Sequence, residues 1–188
     1  MARDRTTPFR AAAGTAGNFV VILILIELVD VGLRHFQGFT LDGLGIRPRQ
    51  APGLIGVLFS PLLHANWVHL AANALPLLVL LTVLFWDRRY RPGSTLVWIW
   101  VVSGLGTWAI GRPDTLHVGA SSIVYGLVAY LIAAGILMRS WRSAFIALAV
   151  GVAFSGIWYG ALPQEGPVSW EGHLCGAVAG VFAARKAH

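Results

Sequence analysis

From residue 19 onward the sequence falls into six apolar stretches, at 19–33, 62–86, 94–110, 118–138, 143–162 and 168–184, separated by runs rich in Gly, Pro and Arg. A helix needs about 20 apolar residues to cross the hydrocarbon of a bilayer. In lipid every backbone N–H and C=O must be bonded within the segment itself, and a helix does this. The expected fold is therefore an all-α membrane protein, a six-transmembrane-helix bundle over residues 19–185 with short tails at 1–18 and 186–188. Composition agrees: 12% of residues are charged, against about 25% in soluble domains. That argues against a soluble enzyme, and the low charge and abundant aromatics exclude a disordered chain. Cys175 is the only cysteine, which excludes a disulfide scaffold.

The first stretch follows Arg3, Arg5 and Arg10 and has the charged head and apolar body of a signal peptide, but no small-x-small cleavage site follows it. Glu27 and Asp30 interrupt it. An anchoring helix whose acidic face looks into the bundle is expected instead. Residues 35–60 read as one long loop, rich in Gly and Pro.

Orientation follows from the basic residues. Ten of the 14 Lys and Arg (Arg3, Arg5, Arg10, Arg88, Arg89, Arg91, Arg139, Arg142, Arg185, Lys186) fall on one side of the expected membrane and four (Arg34, Arg47, Arg49, Arg112) on the other. The excess marks the cytoplasmic side. Both termini are expected there, with the long first loop outside. Trp67, Trp108, Trp158 and Trp170 then sit near outer span ends and Trp86 and Trp141 near inner ends, as an interfacial aromatic belt requires. These short basic clusters report orientation, and no nucleic-acid partner is expected; the lipid bilayer is.

Polar residues inside spans need a partner or a function. Span two carries His64, Asn66, His69 and Asn73; span four opens with His117, Gly119, Ser121 and Ser122; span six opens with Glu171 and His173. All three groups lie in the outer halves of their spans and can meet at one depth. His69 and Asn73 share a helix face, as do Ser121 and Tyr125. Gly172, Gly176 and Gly180 repeat every fourth residue and form a flat stripe for close packing, matched on span four by Gly126 with Ser122 one turn earlier. If the stripes meet, His173 reaches the face carrying Ser121. A serine hydroxyl needs an adjacent base, which neutral imidazole supplies, and the oxyanion of acyl transfer needs donors such as an Asn amide, a His N–H or free backbone N–H groups at a helix start. A Ser121–His173 dyad with His69 and Asn73 as nearby donors fits these residues, with Glu171 pointing elsewhere. Taken singly, the histidines also fit packed polar residues or haem ligands, and the stripe fits packing alone.

The same residues resemble the rhomboid intramembrane serine proteases in their minimal six-span bacterial form. Span two has the family's His-x4-His-x3-Asn in His64, His69 and Asn73; span four is similar to its Gly-x-Ser-Gly pattern in Gly119, Ser121 and Gly126; span six has its His-x2-Gly-x3-Gly in His173, Gly176 and Gly180. The resemblance implies Ser121 as nucleophile and His173 as its base. It implies an oxyanion site of His69, Asn73 and the Ser121 N–H supported by Gly119, and Tyr125 packed on His173. The implied substrates are transmembrane segments cut near their outer ends, with the first loop and span five shaping access, and no cofactor or metal. Two departures stand out: Ser122 replaces the usual Gly, and the first loop lacks the Trp-Arg pair of many members. Silent relatives, which bind membrane helices without cutting, typically lose the Ser or the His; both are present here.

Overall fold

The structure, a computed structural model, describes residues 8–187; Arg3 and Arg5 of the expected amino-terminal tail, and His188, lie outside them. It is all-helical, with six longer helices: α1 Phe9–Gln37, α2 Trp67–Trp86, α3 Pro92–Ile110, α4 Ser121–Leu137, α5 Trp141–Ala153 and α6 Trp170–Ala187. Among the described residues the one extended pairing is a single bridge between Ile46 and His117. By length and composition three helical segments among the described residues qualify to cross a membrane, Phe9–Gln37, Trp67–Trp86 and Arg88–Ile110. A fourth qualifies if α5 and the turn of 3-10 helix after it count as one bent span. The expectation of an all-helical, multi-pass chain stands; six crossings are not reached by this measure.

Several boundaries differ from the sequence reading, each for a local reason. α1 starts at Phe9, ten residues early, because the strong helix formers Ala11, Ala12 and Ala13 extend it, and Ala12 and Ala16 are buried. α2 starts at Trp67, since Asn66 is extended and its side chain accepts the His69 N–H at 2.9 Å; such a cap is worth about 1 kcal/mol. His64 therefore precedes the helix. α4 starts at Ser121, because Gly119 just before it has φ +113, outside the helical range. The expected fifth span breaks after Ala153, and Ser155–Ala161 continues as 3-10 helix at 64° to α5; Ser155-Gly156 at the break is the kind of pair at which helices kink.

The acidic face of α1 does look inward: Glu27 and Asp30 are both buried. Asp30 pairs with Arg34 and accepts the Leu41 N–H at 2.5 Å, while Arg34 Nη1 donates to the Ala65 carbonyl at 2.9 Å. This ties α1 to the first loop and to the approach of α2. The first loop is compact, with 3-10 turns at Leu41–Leu44, Ala51–Ile55 and Ser60–Leu62 and one α-turn at Gly56–Phe59. α3 holds it. Trp100 donates its indole N–H to the Val57 carbonyl at 3.0 Å and Trp108 to that of Gln50 at 2.9 Å, and Arg49 donates to the Gly111 carbonyl at 2.8 Å.

α4 is the central helix, buried along most of its length, and α6 lies directly against it. A Cβ added at Gly176 would collide with the Ser122 carbonyl, and one at Gly180 with that of Gly126. The close backbone approach expected of the glycine stripe is present at these two positions. Gly172 faces Ser169 and Thr107 instead.

Candidate active site

The α4–α6 contact brings Ser121 and His173 together. Ser121 is the first residue of α4 and His173 lies in the first turn of α6. His173 Nε2 is 2.8 Å from Ser121 Oγ, and His173 Nδ1 is 2.8 Å from the Gly160 carbonyl oxygen. A carbonyl can only accept, so Nδ1 carries the proton. The neutral ring then turns the lone pair of Nε2 toward the serine hydroxyl, which is the tautomer a general base requires.

The residue that orients the histidine is thus a backbone carbonyl in the 3-10 segment after α5. The same segment accepts the Tyr125 hydroxyl at the Ile157 carbonyl, 2.6 Å away. A Cβ at Gly160 would collide with the Tyr125 hydroxyl and come within 3.3 Å of His173 Nδ1. Residues 143–162 read in the sequence as one continuous span, and no side chain there signals that these carbonyls face the site. Glu171 does point elsewhere: its Oε1 accepts from Arg112 Nε at 2.7 Å.

His69 and Asn73 come to the same place without touching the dyad. With Ser121, Tyr125 and His173 they line a cavity of about 790 Å³ between α2, α4 and the start of α6. Among the described residues neither is hydrogen-bonded to Ser121 or His173. Asn73 donates one N–H to the His69 carbonyl at 2.8 Å and keeps a second. The His69 ring meets the His64 ring edge-on at 5.2 Å. Gly119 makes room for it, because a Cβ there would stand 2.7 Å from His69 Nε2. Its own N–H is taken by the Ser60 carbonyl at 2.8 Å, so Gly119 supports the site through space and backbone geometry. Ser121 opens α4, and the N–H groups of a helix's first turn have no intrahelical partner.

The rhomboid-domain sequence profile matches residues 52–188, which is most of the chain and includes every residue named in this cavity. The chain belongs to the rhomboid family. It is 46% identical over 177 residues to an uncharacterized protein of Mycobacterium tuberculosis, covering 89% of this chain and 71% of the relative. It is 41% identical to an uncharacterized protein of Mycobacterium leprae, covering 89% and 68%. A mimivirus protein named as a rhomboid protein is 26% identical over 170 residues, covering 87% and 85%.

In this rhomboid one wall of the cavity is a polar clasp. Arg112, from the turn after α3, also donates to the carbonyls of Gly166 at 3.2 Å and Val168 at 2.7 Å, holding the loop before α6. His117 bridges Thr115 and Ser169, at 2.8 Å and 2.6 Å. Phe154 and Ile157, at the break after α5, line the other side. The first loop, expected to shape access, contributes nothing to this lining and packs on α3. The broken fifth helix does line it.

Proposed function

We propose that this rhomboid is an intramembrane serine endopeptidase that cuts transmembrane segments of membrane proteins with Ser121 and His173. The observation that carries the reading is the histidine held between two partners, Gly160 O at Nδ1 and Ser121 Oγ at Nε2.

In the first half-reaction Ser121 Oγ attacks the scissile carbonyl carbon while its proton passes to His173 Nε2. The C–N bond then breaks as that proton moves from Nε2 to the leaving amine, which leaves an acyl ester on Ser121. Water attacks the ester, His173 again takes and returns the proton, and the acid product departs. Negative charge on the carbonyl oxygen builds in both halves. The Ser121 N–H, the His69 ring and the free N–H of Asn73 are the donors for it. The sequence uses no cofactor or metal.

The six-span bundle, with both termini in the cytoplasm and the cavity toward the outer face, belongs to the same proposal and is supported by the asymmetry of Lys and Arg. The test is incubation of the reconstituted protein with a panel of single-span membrane proteins. Cleavage near the outer end of a span, absent in Ser121→Ala, is the expected result, and an intact panel together with no fluorophosphonate labelling of Ser121 overturns the reading.

A further inference from the structure

A second cavity, of about 450 Å³, lies between the start of α3 and the end of α6. It is about 20 Å along α6 from His173, at the end of the bundle that carries the basic clusters. Its size falls within the range of small-ligand sites. Arg91, Ser94 and Lys186 stand at its polar edge, and Val97, Trp98 and Val101 give it an apolar wall. Lys186 Nζ lies 4.3 Å from the centre of the Trp98 ring, a cation–π distance. The Trp98 indole N–H is buried with no partner among the described residues.

Among the described residues the charges here are uncompensated. Asp87, the acidic residue nearest in sequence to Arg91, is engaged by Arg89 at 2.7 Å. Neither Arg91 nor Lys186 pairs with a carboxylate among the described residues. Two cations with no carboxylate partner among the described residues, at the mouth of an apolar groove beside α3, which is long and apolar enough to cross a membrane, call for a ligand with an anionic head and a hydrocarbon tail. We propose that this groove binds an acidic phospholipid, its phosphate between Arg91 and Lys186 and an acyl chain along Val97 and Val101. A zwitterionic lipid carries its own cation and gains less from this pair, and free phosphate leaves the apolar wall uncovered.

The test uses the full chain in detergent and does not depend on proteolysis. Native mass spectrometry compares the bound fraction of dioleoylphosphatidylglycerol with that of dioleoylphosphatidylcholine, with inorganic phosphate as competitor. A basic side chain near an anionic surface is worth enough for about a fivefold change in occupancy. Phosphatidylglycerol should therefore outbind phosphatidylcholine several-fold. Lys186→Gln should lose about fivefold of that preference, while Arg185→Gln, a neighbouring cation outside the groove, should keep it. Trp98→Phe should retain binding with a smaller loss. Equal binding of the two lipids by the unmodified chain overturns the proposal without recourse to any variant. So does an equal loss in Arg185→Gln, which would mean nonspecific charge attraction, and so does full displacement by phosphate, which would mean a simple anion site.

Discussion

The Tyr125 ring lies parallel to the imidazole of His173, with centroids 4.1 Å apart and 8° between the planes. Tyr125 is fixed from its far end by the bond to the Ile157 carbonyl, so the histidine is held on its face by a ring and on its edge by Gly160. Tyr125→Phe keeps the ring and loses one hydrogen bond, worth about 1 kcal/mol net. It should keep most of its activity. Tyr125→Ala frees the imidazole to rotate, and misplacement of a reacting group by about 1 Å costs up to a hundredfold. Turnover and melting temperature measured together decide the matter: if Tyr125→Ala loses folding and activity in proportion, the ring is only packing.

Ser121→Ala should abolish cleavage and fluorophosphonate labelling while leaving melting nearly unchanged, because only a hydroxyl is removed at a half-buried position. Ser122→Ala should retain substantial activity. Its hydroxyl is 3.4 Å from that of Ser103, away from His173, and it is the Ser122 carbonyl that packs against Gly176. Activity surviving in Ser121→Ala and lost in Ser122→Ala would move the nucleophile by one residue.

The side chains of the candidate site were legible because spacing alone puts them on facing stripes. His173 lies three residues before Gly176, and Ser121 precedes Gly126 by a little over one turn. Once Gly176 and Gly180 meet the α4 backbone, the dyad distance follows from helix geometry. What could not be read were contributions from main-chain atoms. The carbonyls of Gly160 and Ile157 carry no side-chain signature, and they face the site only because the helix breaks after Ala153. The attachment of the first loop was hidden for the same reason, since Trp100 and Trp108 donate to its carbonyls.

Asp87 offers a pH test of the opposite end. Burial pushes its carboxyl up, but hydrogen bonds from Arg89 and the Arg89 charge outweigh this and hold it below the ordinary value. A carboxylate depressed in the fold stabilises it above the unfolded pKa, and that contribution is lost as pH falls through the folded pKa. Asp87→Asn should therefore melt lower than the parent at pH 7, with the gap closing at pH values below about 3.9. A loss of about 1 kcal/mol shifts Tm by roughly 2–4 °C in a chain of this size. Identical melting at pH 7 would show that the pair contributes nothing.

Orientation is separable from chemistry. In a Cys175→Ala background, Gln164→Cys should react with an impermeant maleimide on intact cells, whereas Ser140→Cys should react only after lysis. Gln164 is in the loop held by Arg112, next to the cavity, and Ser140 is in the basic turn between α4 and α5. The reverse labelling pattern would put the cavity on the cytoplasmic side and contradict the count of basic residues.

The proposed oxyanion donors can be ranked from their bonding. Removing one preorganised donor costs about 2.7–4 kcal/mol, a hundredfold to a thousandfold in turnover. The His69 ring stands against Gly119 on the cavity wall, so His69→Ala should show a loss of that size. Asn73 has already committed one N–H to the His69 carbonyl. Asn73→Ala therefore removes a second donor and also loosens the turn that carries His69, and it should be at least as slow. Asn73→Asp keeps the size of the side chain but loses both N–H groups, so it combines the two effects, and it should be nearly inactive at neutral pH, where a carboxylate repels the oxyanion. His173→Ala should fall close to the level of Ser121→Ala, since base and nucleophile act as a unit. If His69 and Asn73 serve only to hold α2 in place, fluorophosphonate labelling of Ser121 will fall in step with the folded fraction in each variant. Near-normal melting with weak turnover and weak labelling is the outcome that assigns them to the oxyanion.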